Sequence, residues 1–366
     1  MKKIYIVSGE ASGDLHAANL VLELKKISPE LSFRAWGGQR LKREEVVIDK
    51  NISELAFMGF LEVVMNLPTI LKNLQLCKKN ILNFKPDLLI LVDYPGFNLR
   101  IAKWAKSQKI PVFYYVSPQI WAWKESRIHQ IKKTVSRMYC ILPFEKDFYK
   151  KYAMSVEYLG HPLLDEIKKF KSLDNKQLAF DNNKPIIALL PGSRKQEIDR
   201  KLPIMLSASA HFPEYTRVVA CTPNLDISYY SKFKDENVIF LENKTYALLQ
   251  QSELALVTSG TATLETALFE VPQIVCYKSS SVSYWIAKCL VKIKFISLVN
   301  LIMNKEIVSE LIQDDCNEEF LVAEIKKIKV GGSKRLKIKS AYQELIAILG
   351  KEGASERIAL DILKNI

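Results

Sequence analysis

What the 366-residue chain lacks narrows its class first. No apolar run approaches the roughly 18 uninterrupted residues that a membrane-crossing helix needs, so none is expected. The N-terminus, MKKIYIVSGEASGD, has a basic start. Its apolar stretch, Ile4 to Val7, is too short for the core of a signal peptide and runs straight into glycines, which favours a buried first strand. Cysteine is sparse: the six are Cys77, Cys140, Cys221, Cys276, Cys289 and Cys316, with no CxxC. The four histidines, His16, His129, His161 and His211, are scattered. Neither set has metal-ligand spacing, and reduced, mostly buried thiols in a cytoplasm are expected. Low-complexity tracts and repeats of solenoid length are absent, which excludes collagen-like, disordered and solenoid chains. The dinucleotide fingerprint GxGxxG and the phosphate loop GxxxxGK[ST] are absent too.

What is present describes a globular chain, with 48% hydrophobic and 25% charged residues. Its length exceeds one ordinary core, so two domains are expected. Net charge is +13, from 53 basic and 40 acidic residues. Such an excess attracts phosphates, nucleic acid or an acidic membrane surface, and it equally suits a lysine-rich solvated surface. No RNA- or DNA-binding motif accompanies it, so no nucleic-acid partner is expected.

Short apolar runs alternate with amphipathic stretches. Strands are predicted at Ile4–Val7, Ser32–Trp36, Leu88–Val92, Val112–Val116, Met138–Leu142 and Val156–Leu159. Helices such as Leu15–Lys26 and Phe97–Ser107 lie between them. Near-continuous apolar strands separated by helices indicate a parallel sheet covered on both faces. After a polar stretch, Lys168–Lys184, the pattern restarts with Ile186–Leu190, Arg217–Cys221, Val238–Leu241, Leu254–Thr258 and Gln273–Tyr277. From about Glu318 the pattern is helical throughout. The expected architecture is α/β, with two doubly wound, Rossmann-like domains at 1–166 and 167–345 facing a cleft. A C-terminal helix at 346–366 would pack back on the first domain or on a partner subunit, which leaves a homodimer open. Ligands bind beyond the carboxyl ends of such strands, so the residues directly after strands are the candidates.

Six segments can carry chemistry. SGEASGD, Ser8 to Asp14, follows the first strand and presents Gly9 and Gly13 at a helix start. It suits an anion at free N–H groups, or a tight turn capped by Ser12 or Asp14. LVDYPGFN places Asp93 at the exit of a strongly apolar strand, as a general base or as a turn and cap residue. LLPGSRKQEI repeats strand, turn and helix start with Gly192, Ser193 and Arg194; an arginine there can clamp a diphosphate. VTSGTATLE carries Gly260, Thr261, Ala262, Thr263 and Glu265. Its hydroxyls suit phosphate oxygens and Glu265 suits ribose hydroxyls, while an N-cap with a capping-box acid fits as well. VSPQIWAWKESRIHQIKK sets Trp121 and Trp123 before Lys124, Arg127, Lys132 and Lys133, as a membrane-facing surface or a core Trp pair. SYWIAKCLVKIKFISLVNLIM, Ser283 to Met303, is apolar but broken by Lys288, Lys292 and Lys294. It fits a segment lying on a lipid interface or a buried helix with snorkelling lysines.

Together, SGEASGD, WGG, LAFMGFLEV, KPDLLILVDYPGFN, YYVSPQIWAW, LPFEKDFY, LGHPLLD, LLPGSRKQEI, SGTATLE and SLVNLIMNKEIVSELIQDDC resemble the lipid-A-disaccharide synthase family, collinearly from Ser8 to Cys316. The resemblance implies an inverting glycosyltransferase of the GT-B fold. The donor would be UDP-2,3-diacylglucosamine and the acceptor 2,3-diacylglucosamine 1-phosphate, at the inner face of the cytoplasmic membrane. It implies Asp93 as general base, with Glu10 and Ser12 near the reacting sugar. Arg194 would face the donor diphosphate, Glu265 the ribose, and Asn300 would lie near the nucleotide. Met58, Gly59, Trp121 and Trp123 would serve the lipid side. Many members carry a second acid where this chain has Gly96; if that acid takes part in the chemistry Asp93 must serve alone here, the other reading being that it only caps a helix. No DxD motif is present, so no metal of that kind and no cofactor is expected; helix N-termini and basic side chains would stabilise the leaving diphosphate. Two rival readings are a UDP-N-acetylglucosamine 2-epimerase of the same fold and a basic nucleic-acid-binding protein without catalysis.

Overall fold

The computed structural model describes residues 2–54, 67–173, 178, 184–223, 225–280, 284–285, 288, 291 and 293–366. They form two compact units, Met1–Asp165 with Lys351–Ile366, and Glu166–Gly350.

The first unit is built on a seven-stranded sheet. Its strands are β1 (Lys3–Ser8), β2 (Ser32–Gly37), β3 (Val47–Asn51), β4 (Leu88–Val92), β5 (Val112–Tyr115), β6 (Arg137–Cys140) and β7 (Glu157–Tyr158). The order is β3-β2-β1-β4-β5-β6-β7, and every pairing is parallel. The pleat sends successive side chains to opposite faces. Tyr5, Val7, Leu89 and Leu91 enter one core, with Phe97 and Ile101 of the helix Pro95–Ser107. Ile4, Ile6, Leu88 and Ile90 enter the other, with Leu20 and Leu24 of the helix Ala11–Ile27. LLILV of β4 is buried along its whole length because helices cover both faces.

The second unit has six strands: β8 (Ile186–Leu190), β9 (Thr216–Cys221), β10 (Val238–Glu242), β11 (Ser252–Thr258), β12 (Gln273–Tyr277) and β13 (Glu310–Ile312). The order is β10-β9-β8-β11-β12-β13, again parallel throughout. Ile186, Ala188, Val218, Ala255 and Val257 pack on Leu248 and Leu249 of the helix Thr245–Gln251.

The predicted strands form within a few residues of their expected limits, but β3 and β13 were not anticipated. Both are edge strands, short and only part-buried for most of their length. The helical C-terminus also divides differently from the expected break at 345. Arg335–Leu349 belongs to the second unit, and the chain turns at Gly350 and Gly353, both with positive φ. The helix Ala354–Lys364 then packs on Ala11–Ile27 of the first unit. Its N-terminus is held by Asp165, whose carboxylate accepts from Gly353 N at 2.5 Å and Ser355 N at 2.9 Å. Asp361 further along receives Arg137 at 2.5 and 2.8 Å and the Tyr139 hydroxyl at 2.8 Å. No described helix is long and apolar enough to cross a membrane.

Removing the N-terminal cap with Asp165→Ala should lower the unfolding free energy by about 1–2 kcal/mol. A urea titration reads this as a lower midpoint; an unchanged midpoint would show that the helix docks without that cap.

Candidate active site

In each unit the strand order reverses once, between β1 and β4 and between β8 and β11. Crossover connections leave such strand pairs in opposite directions, which opens a crevice at their carboxyl ends. Four of the six candidate segments leave these four strands: Ser8–Asp14 from β1, Asp93–Asn98 from β4, Pro191–Arg194 from β8 and Ser259–Thr263 from β11.

In the first unit one side chain ties the two strand ends together. Asn98 is fully buried and donates from Nδ2 to Val7 O and Val92 O at 3.2 Å and to Asp93 O at 2.8 Å. The Tyr114 hydroxyl donates to Asp93 O at 2.5 Å. Asp93 and Tyr94 both take left-handed backbone conformations, φ 46° and 48°. Non-glycine residues adopt that region at a cost, and here the surrounding hydrogen bonds hold it. The Tyr94 ring covers Gly9: a Cβ at position 9 would lie 2.3 Å from the ring, so only glycine fits. Tyr94 stacks on Phe97 at 5.4 Å, and Phe97 on Trp36 at 5.6 Å.

The Asp93 carboxyl is therefore part-buried at the β4 exit. Its pKa is pushed up to about 7, first by loss of hydration and then by the Glu10 carboxylate, against a hydrogen bond from the Tyr94 N–H. Two carboxylates in one crevice, one of them poised near neutrality, is an arrangement suited to proton transfer. Glu10 is the N-cap residue of Ala11–Ile27 but makes no side-chain cap there, and Ser12 is exposed in the first turn. The cap expected from Ser12 or Asp14 does not form. Asp14 instead reaches the loop after β2, accepting from Gly38 N at 2.6 Å and Arg40 N at 3.0 Å. Its carboxylate approaches so closely that a Cβ on Gly38 would meet it at 2.6 Å. Trp121 is half-buried, and its indole donates to Glu145 Oε1 at 3.1 Å. Trp123 is 46% exposed under Lys124 and Arg127, so the two do not form a core pair. Met58 and Gly59 lie outside the described residues, as does part of Ser283–Met303.

In the second unit Gly192 has φ 117°, and a Cβ there would lie 2.3 Å from Glu197 Oε2. Glu197 folds back over the turn, accepting from Ser193 N at 3.1 Å and from Arg194 Nη1 at 3.2 Å. An incoming anion would compete with this carboxylate for the turn. The Arg194 side chain is 55% exposed at the N-cap of Lys195–Ala210. Gly260, φ 145°, opens the helix Thr261–Leu268 with free space beside it, Thr261 is exposed and Ala262 part-buried. Contrary to the expectation for SGTATLE, Thr263 does not present its hydroxyl to a ligand. It is fully buried, donates to Gly260 O at 2.7 Å and accepts from Leu298 N at 3.3 Å. Glu265 accepts from the Tyr246 hydroxyl at 2.9 Å, and burial, then Glu166, push its pKa up.

Asn300, expected near the nucleotide, is also fully engaged inside. Its Nδ2 donates to Val308 O and Glu310 Oε1, and its Oδ1 accepts from Ile307 N and Val308 N, all within 2.8–3.0 Å. Such an amide shapes a loop and has no atom left over for a ligand. Sequence reasoning missed Tyr94 and Glu145. The latter is buried, accepts also from Leu142 N, and is pushed up to about 7 by burial. Both stand inside segments already singled out, DYPGFN and LPFEKDFY, but nothing in the residue types marks a ring that covers a glycine or a carboxyl that orients an indole.

A family model described as lipid-A-disaccharide synthetase matches residues 4–362. The lipid-A-disaccharide synthase of Myxococcus xanthus is 38% identical over 371 aligned positions, covering 99% of this chain and 97% of that protein. The Syntrophus aciditrophicus protein of the same name is 40% identical over 375, covering 100% and 98%. Among solved structures, the UDP-GlcNAc 2-epimerase of Neisseria meningitidis bound to UDP-GlcNAc superposes with a TM-score of 0.71 at 15% identity, over 100% of both chains. The glycotransferase of kitacinnamycin does so with a TM-score of 0.70 at 13% identity, over 100% of this chain and 98% of that one. At such identities the likeness shows the fold alone, the GT-B arrangement of two parallel sheets.

Proposed function

The chain belongs to the lipid-A-disaccharide synthase family of glycosyltransferases, and from that premise we propose that it joins UDP-2,3-diacylglucosamine to 2,3-diacylglucosamine 1-phosphate. The products are UDP and the β-1′,6-linked disaccharide phosphate. The observation that carries the mechanism is the part-buried Asp93 carboxyl at the β4 exit, poised near neutrality beside Glu10. Ionised Asp93 takes the proton of the acceptor 6-hydroxyl as that oxygen attacks the donor's anomeric carbon from the face opposite UDP. The carbon–oxygen bond to the diphosphate breaks, UDP leaves with the electron pair, and the anomeric centre inverts. Glu10 tunes Asp93 by like-charge repulsion, and Ser12 offers a hydroxyl to the sugar. Arg194 and the N–H groups after Gly192 and Gly260 receive the diphosphate charge, with Glu197 yielding the turn. Glu265, held by Tyr246, faces the ribose.

The decisive assay incubates the protein with both diacylated sugars and seeks the disaccharide phosphate by mass spectrometry. A donor epimerised at C2 with no acceptor present would overturn the proposal. A base must be ionised to act, and a carboxyl raised to about 7 loses its proton only through that region. kcat/KM should therefore rise with pH through about 7 and level off above it. An ordinary carboxylate would give a profile already flat above about pH 5. Asp93→Asn should remove the limb together with nearly all turnover; full turnover in that variant would dismiss Asp93 as the base. Arg194→Ala should raise the KM for the UDP-sugar roughly tenfold or more while leaving the acceptor KM nearly unchanged. Unaltered donor kinetics would refute its role.

We further propose association with the inner face of the cytoplasmic membrane. The net charge of +13 supports this, as do the exposed Leu71, Leu76 and Leu82 on the helix Leu67–Phe84 and the exposed Trp123 beside Lys124. Retention on anionic vesicles should weaken as salt rises; retention that neither charge nor salt alters would count against it.

A further inference from the structure

Arg127 precedes the helix Ile128–Thr134 in the first unit, beyond the carboxyl end of β5. Its guanidinium is part-buried and lies 5.0 Å from the centroid of the Trp123 ring, with Lys124 Nζ 5.6 Å from the same ring. The helix Pro95–Ser107 packs alongside, pinned where Gln130 Nε2 donates to Leu99 O at 2.7 Å. That packing brings Arg100 within electrostatic reach of Arg127. Arg100 is exposed, and its Nη1 donates to Gly96 O at 2.8 Å. Among the described residues neither guanidinium has a carboxylate partner. The acid nearest Arg127 in the chain, Glu125, instead accepts from the Tyr152 hydroxyl.

Two guanidinium groups on packed elements, one partly desolvated and neither facing a carboxylate among the described residues, favour an anion between them. Burial, opposed by the Tyr114 side chain and reinforced by Arg100, leaves Arg127 below the ordinary arginine range. The place is adjacent to the proposed chemistry. Tyr114, which feels the Arg127 charge, is the residue whose hydroxyl donates to Asp93 O.

We propose that Arg127 and Arg100, backed by the Trp123 ring, form a phosphomonoester subsite that takes the anomeric phosphate of the acceptor. This rests on the acceptor reading given above. A phosphomonoester carries close to two negative charges near neutral pH and three strong acceptor oxygens, which match two planar donor forks. A sugar ring lies between its anomeric phosphate and its 6-hydroxyl, so a phosphate anchored here would steady the acceptor for Asp93. Phosphate headgroups of membrane lipids share the chemistry, and the test separates the two sources.

UDP release is measured with a short-chain acceptor, with and without its 1-phosphate, for the wild type, Arg127→Ala, Arg127→Lys and Arg100→Ala. Near-UV circular dichroism checks folding, and the exposed Arg100 gives an independent variant should Arg127→Ala fold poorly. Each alanine variant should raise the KM for the phosphorylated acceptor roughly tenfold or more, with little change in kcat. The dephosphorylated acceptor should be unaffected, and Arg127→Lys should recover part of the loss. Equal losses on both acceptors, or none, would overturn the subsite. So would variants that lose only their retention on phosphatidic-acid vesicles with the acceptor KM unchanged, since that assigns the arginines to lipid headgroups. Should the wild type release UDP with neither acceptor, the glycosyl-transfer reading fails, and tryptophan fluorescence still tests the subsite. Quenching that requires the acceptor phosphate and disappears in Arg127→Ala would uphold it; quenching indifferent to the phosphate would not.

Discussion

The Asn98 amide, reaching back to the carbonyls of Val7, Val92 and Asp93, is the contact on which the crevice of the first unit depends. Adjacent parallel strands end in carbonyls that no further ladder partner satisfies, and a buried carbonyl without a donor is costly. One side chain answers this for both β1 and β4. It thereby sets the height at which the two loops leave the sheet. Tyr94 can then fold over Gly9, and the left-handed pair Asp93–Tyr94 turns the carboxylate into the crevice opposite Glu10. The unusual acidity of Asp93 follows from that placement, because burial and a neighbouring like charge both oppose its ionisation.

The second unit solves the same problem with different groups. Here Thr263 ties down the loop after β11 and Asn300 the segment leading into β13, both hydrogen-bonded inward. The atoms left facing outward are few: the Arg194 guanidinium, the Thr261 hydroxyl and the open backbone at Gly260. A rigid inner layer behind a sparse outer one is what orientation of a charged ligand requires. Asn300, which the resemblance places near the nucleotide, and Thr263, whose hydroxyl suited a phosphate, are buried and hydrogen-bonded within the protein. The C-terminal helix is tied to the first unit by the Asp165 cap and the Arg137–Asp361 pair, although the helix that precedes it, Arg335–Leu349, belongs to the second.

The α/β class, the parallel strands and four of the loops at the strand exits were legible in the amino-acid sequence, because fully buried strands must be apolar along their whole length. LLILV and IIALL admit no other reading between amphipathic helices. Edge strands β3 and β13 left no such mark, since one side of an edge is wet and tolerates KN or EL. The family was legible as well, through long collinear segments.

Tertiary packing alone decided which polar residues face outward. Asn300 and Arg194 are both polar residues beside strand ends, yet one has its amide wholly used and the other is exposed. Hydrogen-bond partners come from distant parts of the chain, so local residue type cannot distinguish a scaffold amide from a ligand contact. The same holds for Asp93, whose acidity depends on Glu10 from another strand exit, and for the meeting of Arg100 with Arg127. Composition and periodicity report how much of a segment is buried. The identity of what it is buried against exists only once the strands have paired.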